Sequence, residues 1–274
     1  MAWSKPKMAL AALIVLVILN GGILLTIFLL QDSRHPTAVD APASTTLLAY
    51  EPFDYPAEAP LVGQTNGAGF AGPWEPGGFN ARLSDVFNMK TGALTYPNLA
   101  TRGASHLSVA SPPAGVPAIA GVGRLLATNL ATPGATYYLS FLHRPDGEEE
   151  YASVVLGTGQ GNELSVGKSG SVKQYHISQR GGLGRVYSGV EPVVGKTVFI
   201  VVKMEFKDGP DRFTLYLNPT PGKPEPATGA VKDDLDLEFA EQLFLYSRAA
   251  WSVDEIRLGT TWEAVTPARK DGAR

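Results

Sequence analysis

Residues 198–217, VFIVVKMEFKDGPDRFTLYL, alternate with a period of two on both sides of Asp208-Gly209-Pro210-Asp211. Val198, Ile200, Val202, Met204 and Phe206 fall on one face, and Phe199, Val201, Lys203, Glu205 and Lys207 on the other. Beyond the loop, Phe213, Leu215 and Leu217 alternate with Arg212, Thr214, Tyr216 and Asn218. Side chains that swap faces at every residue belong to a strand and not to a helix. Two such runs around these turn residues form a hairpin with a turn of roughly four or five residues. Pro219 and Pro221 end the second strand. The two loop aspartates fall short of the six to eight or so oxygens that calcium prefers, and Asp and Gly suit a bend for backbone reasons alone. The loop is read as a plain turn.

Comparable segments recur at 47–50, 106–109, 122–127, 136–143, 151–157, 163–167, 172–178, 237–246 and 252–259. With 30 glycines and 21 prolines in 274 residues, turn residues separate most of them, and no long helical period interrupts the series. Many strands without crossover helices imply antiparallel sheets stacked face to face. The expected fold class is therefore all-β, a two-sheet antiparallel sandwich over residues 47–267, with 268–274 as a tail. A hydrophobic content of 44% provides for its core.

The N-terminal part differs. Residues 8–30, MALAALIVLVILNGGILLTIFLL, carry no charge, and as a helix they would span a hydrocarbon core of about 30 Å. Lys5 and Lys7 precede the run, so residues 1–7 are expected to be cytoplasmic and the bulk of the chain extracytoplasmic. A cleaved signal peptide is the competing reading. The run is long for one, and the nearest Ala-x-Ala, Ala41-Pro42-Ala43, lies well downstream. A single uncleaved transmembrane helix is expected, with 31–46 as a small, polar, proline-containing linker.

Composition narrows the function. A net charge of −3 without a basic patch offers nothing to nucleic acid. The absence of cysteine excludes disulfides, thiolate nucleophiles and cysteine-ligated metals. The 4 histidines lack helical metal spacing, and no Gly-x-Ser-x-Gly elbow is present.

The ends of the domain carry a resemblance. The opening LLAYEPFDYPAEAPLVGQTNGAGFAGPWEPGG, the closing WSVDEIRLGTTWEAVTP and the hairpin between them resemble the concanavalin A-like, laminin G-like jelly-roll domains of envelope proteins in planctomycete-type bacteria. The resemblance implies a jelly roll whose first and last strands adjoin, in a fold that hosts lectins, glucanases and calcium-dependent adhesion modules alike. Together with the apolar run and its flanking lysines, it gives the expectation of a bacterial inner-membrane protein whose main domain faces outward.

Three sets of site residues follow. If the end strands adjoin, Glu51 or Asp54 comes near Asp254 or Glu255, and their carboxylates with carbonyls of the NGAG loop would suit a structural calcium. Trp74, Tyr138, Tyr151 and Tyr175 are the aromatics on which a sugar ring could stack. In VKDDLDLEFAE (231–241), Asp234, Asp236 and Glu238 would share one face of a strand, as carboxylates do in laminarinase-like hydrolases. Here aspartate replaces the glutamate at the first position. The leading expectation is a non-enzymatic module that binds a glycan or another envelope component and needs no cofactor. The alternatives are a glycoside hydrolase using the three acids, and a structural protein contacting other envelope proteins.

Overall fold

The computed structural model describes residues 47–77, 81–113, 119–147, 151–159, 161–168 and 172–270. The expected transmembrane segment 8–30 and the linker lie outside these. Among the described residues no helix is long and apolar enough to cross a membrane.

Two antiparallel sheets make up the domain, consistent with the jelly roll expected. The first contains β1 (Leu47–Glu51), β3 (Phe87–Thr91), β4 (Ser105–Val109), β6 (Thr136–Pro145), β11 (Val198–Lys207), β12 (Gly209–Leu217), β13 (Ala230–Leu235) and β15 (Trp251–Gly259). Its order is β13-β12-β11-β6-β15-β4-β3, with β1 also on β15. The second holds β2 (Glu75–Pro76), β5 (Ala120–Leu125), β7 (Ala152–Gly157), β8 (Leu164–Lys168), β9 (Tyr175–Gln179), β10 (Leu183–Tyr187) and β14 (Gln242–Ser247). There the order is β10-β9-β8-β7-β14-β5-β2. The first and last strands do adjoin, with Glu51 opposite Ile256.

The hairpin read from the sequence is β11–β12, in register from Ile200 opposite Leu217 to Glu205 opposite Arg212, with a shift before Lys207 opposite Gly209 and only Asp208 between the strands. Its alternation separates two apolar clusters. Ile200, Val202, Met204, Phe213 and Leu215 join the core between the sheets. Phe199, Val201 and Tyr216 join a second cluster on the outer face, under Leu94, Leu99 and Trp262. The short helix α1 (Trp262–Val265), capped by Thr261, supplies that Trp262.

The last strand breaks its period. In WSVDEIRL the inward residues Trp251, Val253, Ile256 and Leu258 skip one position, and the register shifts between Asp254 and Arg257. An extra residue at a bulge lets two neighbours point the same way. Asp254, Glu255 and Arg257 are all buried outside the core cluster, and Glu255 takes φ 56°. The Asp254 carboxylate accepts from Leu94 N at 2.9 Å and Glu255 N at 2.8 Å. Glu255 accepts from Arg102 N, the Tyr50 hydroxyl and the Arg257 guanidinium. These buried groups fasten the 94–102 loop to the outer face of the first sheet.

The outer face of the second sheet carries a pair of buried aromatics. Phe244 and Tyr246 on β14 stack at 5.5 Å and 9°. They lie over β5, where a Cβ on Gly121 would come within 2.7 Å of Tyr246 and one on Gly123 within 2.6 Å of Phe244. Only glycine leaves room there for the rings.

Candidate functional site: a cleft at the rim of the second sheet

The segment linking β13 to β14, residues 236–241, crosses from the first sheet to the second. Leu237 N donates to Asp211 Oδ2 at 2.8 Å, and Ala240 N donates to Asn129 Oδ1 at 2.9 Å. Leu130 N and Leu126 N donate to the carbonyls of Ala240 and Glu241. Leu237 and Ala240 are buried in the core. Pinned on both sides, the crossing leaves Glu238 and Phe239 exposed, with Phe239 at 51%.

Asp211 therefore does more than turn the chain. It is 2% exposed, and its other oxygen accepts from Lys207 N at 3.0 Å, so one carboxylate ties the hairpin to the crossing. Burial pushes its pKa up, and the two backbone donors oppose that shift.

An open cleft of about 690 Å³ lies between the crossing and two turns of the second sheet. Glu238, Phe239 and Glu241 form one wall, and Asn162, Gln179 and Arg180 line the other. Gln179 Nε2 donates to Asn162 Oδ1 at 2.9 Å, leaving the Asn162 amide N–H groups and the Gln179 carbonyl oxygen uncommitted among the described residues. Arg180 Nη1 donates to Glu163 Oε2 at 2.7 Å and Gly159 O at 3.1 Å, and its guanidinium sits 5.3 Å from the Tyr246 ring centroid. Glu163 is fully buried, and its Oε1 has no hydrogen-bond partner. Half-exposed aromatic carbon beside amides and carboxylates can hold a ligand that has both an apolar face and hydroxyl or amine donors.

The residues expected from the sequence are distributed differently. Asp234, Asp236 and Glu238 do not share a strand face, because β13 ends at Leu235. Asp234 pairs with Lys232 at 2.5 Å, and Lys232 Nζ also donates to Gly184 O across the seam between the sheet edges. Lys232 holds the Asp234 carboxyl below its usual range. Of the three acids only Glu238 lines the cleft.

The expected calcium ligands face apart. Glu51 lies on the inner side of the first sheet, paired with Arg124 at 2.7 Å and accepting from Trp74 Nε1, the Tyr55 hydroxyl and Phe53 N. Asp254 faces the outer side, and exposed Asp54 accepts from Ala104 N at 3.2 Å. The bulge is the reason: it turns Asp254 away from the face that Glu51 uses. Among the described residues no group of three His, Cys, Asp or Glu side chains is placed to hold a metal ion.

Burial corrects the expectation for three of the four aromatics. Trp74 and Tyr175 are 0% exposed within the core. Trp74 stacks on Phe53, and Tyr175 meets His143 Nδ1 at 3.1 Å through its hydroxyl. Tyr138 packs edge-on against Trp262 and donates to Glu225 at 2.9 Å. Tyr151 is half-buried, 3.2 Å from Ser165 Oγ through its hydroxyl, at the far end of β7 from the cleft. The sequence reading missed Phe239, Glu241, Asn162, Gln179 and Arg180. Phe239 follows Leu235 and Leu237 at strand spacing, and in the structure it is the first of the three to be exposed.

No family model matches the sequence, and no curated protein does. Solved structures match loosely. An endo-1,3-β-glucanase from Streptomyces sioyaensis superposes with a TM-score of 0.45 at 9% identity, over 81% of this chain and 99% of that one. Domain 4 of AbnA, a GH43 extracellular arabinanase from Geobacillus stearothermophilus in complex with arabinotriose, gives 0.45 at 14%, over 82% and 99%. Lectin UEA-II complexed with galactose gives 0.36 at 12%, over 59% and 88%. At such scores and identities, what those proteins bind or cleave stays with them.

Proposed function

We propose that the protein is a non-enzymatic binding module whose rim cleft takes a glycan. In this reading the apolar segment 8–30 anchors it in a bacterial inner membrane and the sandwich faces outward. One observation carries the proposal: Phe239, 51% exposed, stands beside Glu238, Glu241, Asn162 and Gln179 in a cleft large enough for a sugar ring. A sugar offers CH groups on its ring faces and hydroxyls around its edge, so an aromatic platform with polar neighbours is complementary to it. The pinned crossing supports the reading, because a preorganised wall loses little freedom on binding. The separation of Asp234 and Asp236 from Glu238 favours binding over hydrolysis.

The test is a glycan array with the full chain in uncharged detergent micelles, run for the parent and for Phe239→Ala. Phe239→Ala is expected to weaken every positive signal about tenfold, as loss of one aromatic contact would. Its melting temperature should not change, since the ring is half outside the fold. Silence of the parent across the array, with the protein demonstrably folded, would move the assignment to contacts with other envelope proteins. Signals that Phe239→Ala leaves intact would place the ligand elsewhere.

A further inference from the structure

We infer that the cleft selects a glycan carrying protonated amines, a hexosamine with free amino groups, over neutral or acidic sugars. This rests on the binding reading above and specifies its ligand class. The charged side chains lining the cleft are Arg180, Glu238 and Glu241. Arg180 is already committed to the buried carboxylate of Glu163, the Gly159 carbonyl and the Tyr246 ring. Among the described residues, the side chains of Glu238 and Glu241 have no partner. Among the described residues, the cleft thus presents two uncompensated carboxylates and no free cation.

Glu163 contributes independently of those two acids. It lies behind Arg180 and is the sequence neighbour of Asn162, both of which line the cleft. Its Oε1 is buried without a hydrogen-bond partner. Its carboxylate neutralises Arg180, so the cation beside the cleft does not offset Glu238 and Glu241.

These features exclude some ligands and favour others. A uronic or sialic acid would bring its charge against two carboxylates with no cation to receive it. A neutral sugar would gain the ring and the amides but nothing from the charge. An amino sugar gains all three: ammonium to carboxylate, CH face to Phe239, hydroxyls to the Asn162–Gln179 pair. A lysine-rich peptide would match the charge but has no flat CH face for the phenyl ring.

Calorimetric titration of the full chain in uncharged micelles decides the matter, using β-1,4-linked glucosamine tetramer, its fully N-acetylated counterpart and oligo-lysine. At low salt the amine tetramer is expected to bind about tenfold more tightly than the acetylated one, since each partly exposed ion pair contributes roughly threefold. The preference should shrink at high salt and vanish in the double variant Glu238→Gln/Glu241→Gln. Equal binding of the two sugars would overturn the charge inference and leave the glycan reading standing. No binding of either would overturn the charge inference, and joined to silence across the glycan array it would overturn both. Tighter binding of oligo-lysine than of either sugar would make the partner a basic peptide and end the sugar assignment.

Discussion

Asp211, on the second strand of the β11–β12 hairpin, receives the backbone N–H of Leu237 at 2.8 Å, and the next residue, Glu238, belongs to the cleft wall. A carboxylate within the GPDR start of a strand thereby sets the path of a segment 26 residues further on. Asp211→Ala would leave two backbone donors, Lys207 N and Leu237 N, without their acceptor. The expected cost is about 1–3 kcal/mol of stability. Hydrogen exchange should quicken at Leu237–Ala240 and leave the β6–β11 pair protected, and unchanged exchange at the crossing would refute the role.

Glu51 and Arg124 form an ion pair buried to 0% and 3%. Removing one partner of such a pair strands the other charge, at a typical cost of about 3–5 kcal/mol. Arg124→Met should therefore be severely destabilising. Glu51→Gln/Arg124→Met should recover part of the loss, because a neutral amide needs no counter-charge. Chemical denaturation of the two single variants and the double variant measures this coupling, and strict additivity would argue against it.

Acid should destabilise the domain through its histidines. Burial holds the His143 pKa down to about 3 and that of His176 to about 4. In the unfolded chain each takes up a proton near pH 6.5. The unfolded state therefore binds more protons below that pH, and stability is lost as pH falls from about 6.5 toward 3. Each group adds a slope of up to roughly 1.4 kcal/mol per pH unit. His143→Gln keeps an amide beside the Tyr175 hydroxyl, and its melting temperature should fall less steeply over that window than the parent's.

Asp254 works in the opposite direction. Burial, together with the neighbouring Glu255, raises its pKa to about 9. The folded state keeps a proton that the unfolded chain gives up near pH 4, so stability declines as pH rises toward 9. Above pH 7 the histidines no longer contribute, and the buried carboxyls, Asp254 foremost, set the slope. Asp254→Asn should flatten the decline between pH 7 and 9 in thermal melts, and a slope equal to the parent's would remove Asp254 from the account.

Gly121 and Gly123 are required by space, since the Phe244 and Tyr246 rings occupy the volume a Cβ would need. Gly123→Ala should cost about 1–3 kcal/mol, and Phe244→Val in the same chain should relieve part of it. A Gly123→Ala variant as stable as the parent would show that the rings can move aside.

The sandwich was legible because alternation is local: the hairpin can be read from 198–217 alone. Which of the two faces is buried was less legible. Trp74 and Tyr175 look the same in sequence whether they point into the core or toward a ligand, and only the strand register decides. The bulge at Asp254 was visible in the spacing of Trp251, Val253, Ile256 and Leu258, but its effect on Glu51 depends on the β1–β15 pairing. The cleft was the least legible part. Residues 162, 179–180 and 238–241 meet because Asp211 and Asn129 fix the crossing, and such long-range bonds leave no periodic trace. Asp211 itself resembled an ordinary turn residue.

The stacked rings of Phe244 and Tyr246 limit how a polymer could approach. Ser153, Val155, Ser165, Ser178 and both rings are at most 4% exposed, so among the described residues the broad face of the second sheet offers no open furrow along which a long strand could lie. A polysaccharide would have to enter the rim cleft by its terminus or by a bend of a few units. Affinity should then reach its ceiling with short oligomers and gain little from added length, so the protein would count chain ends and not chain mass.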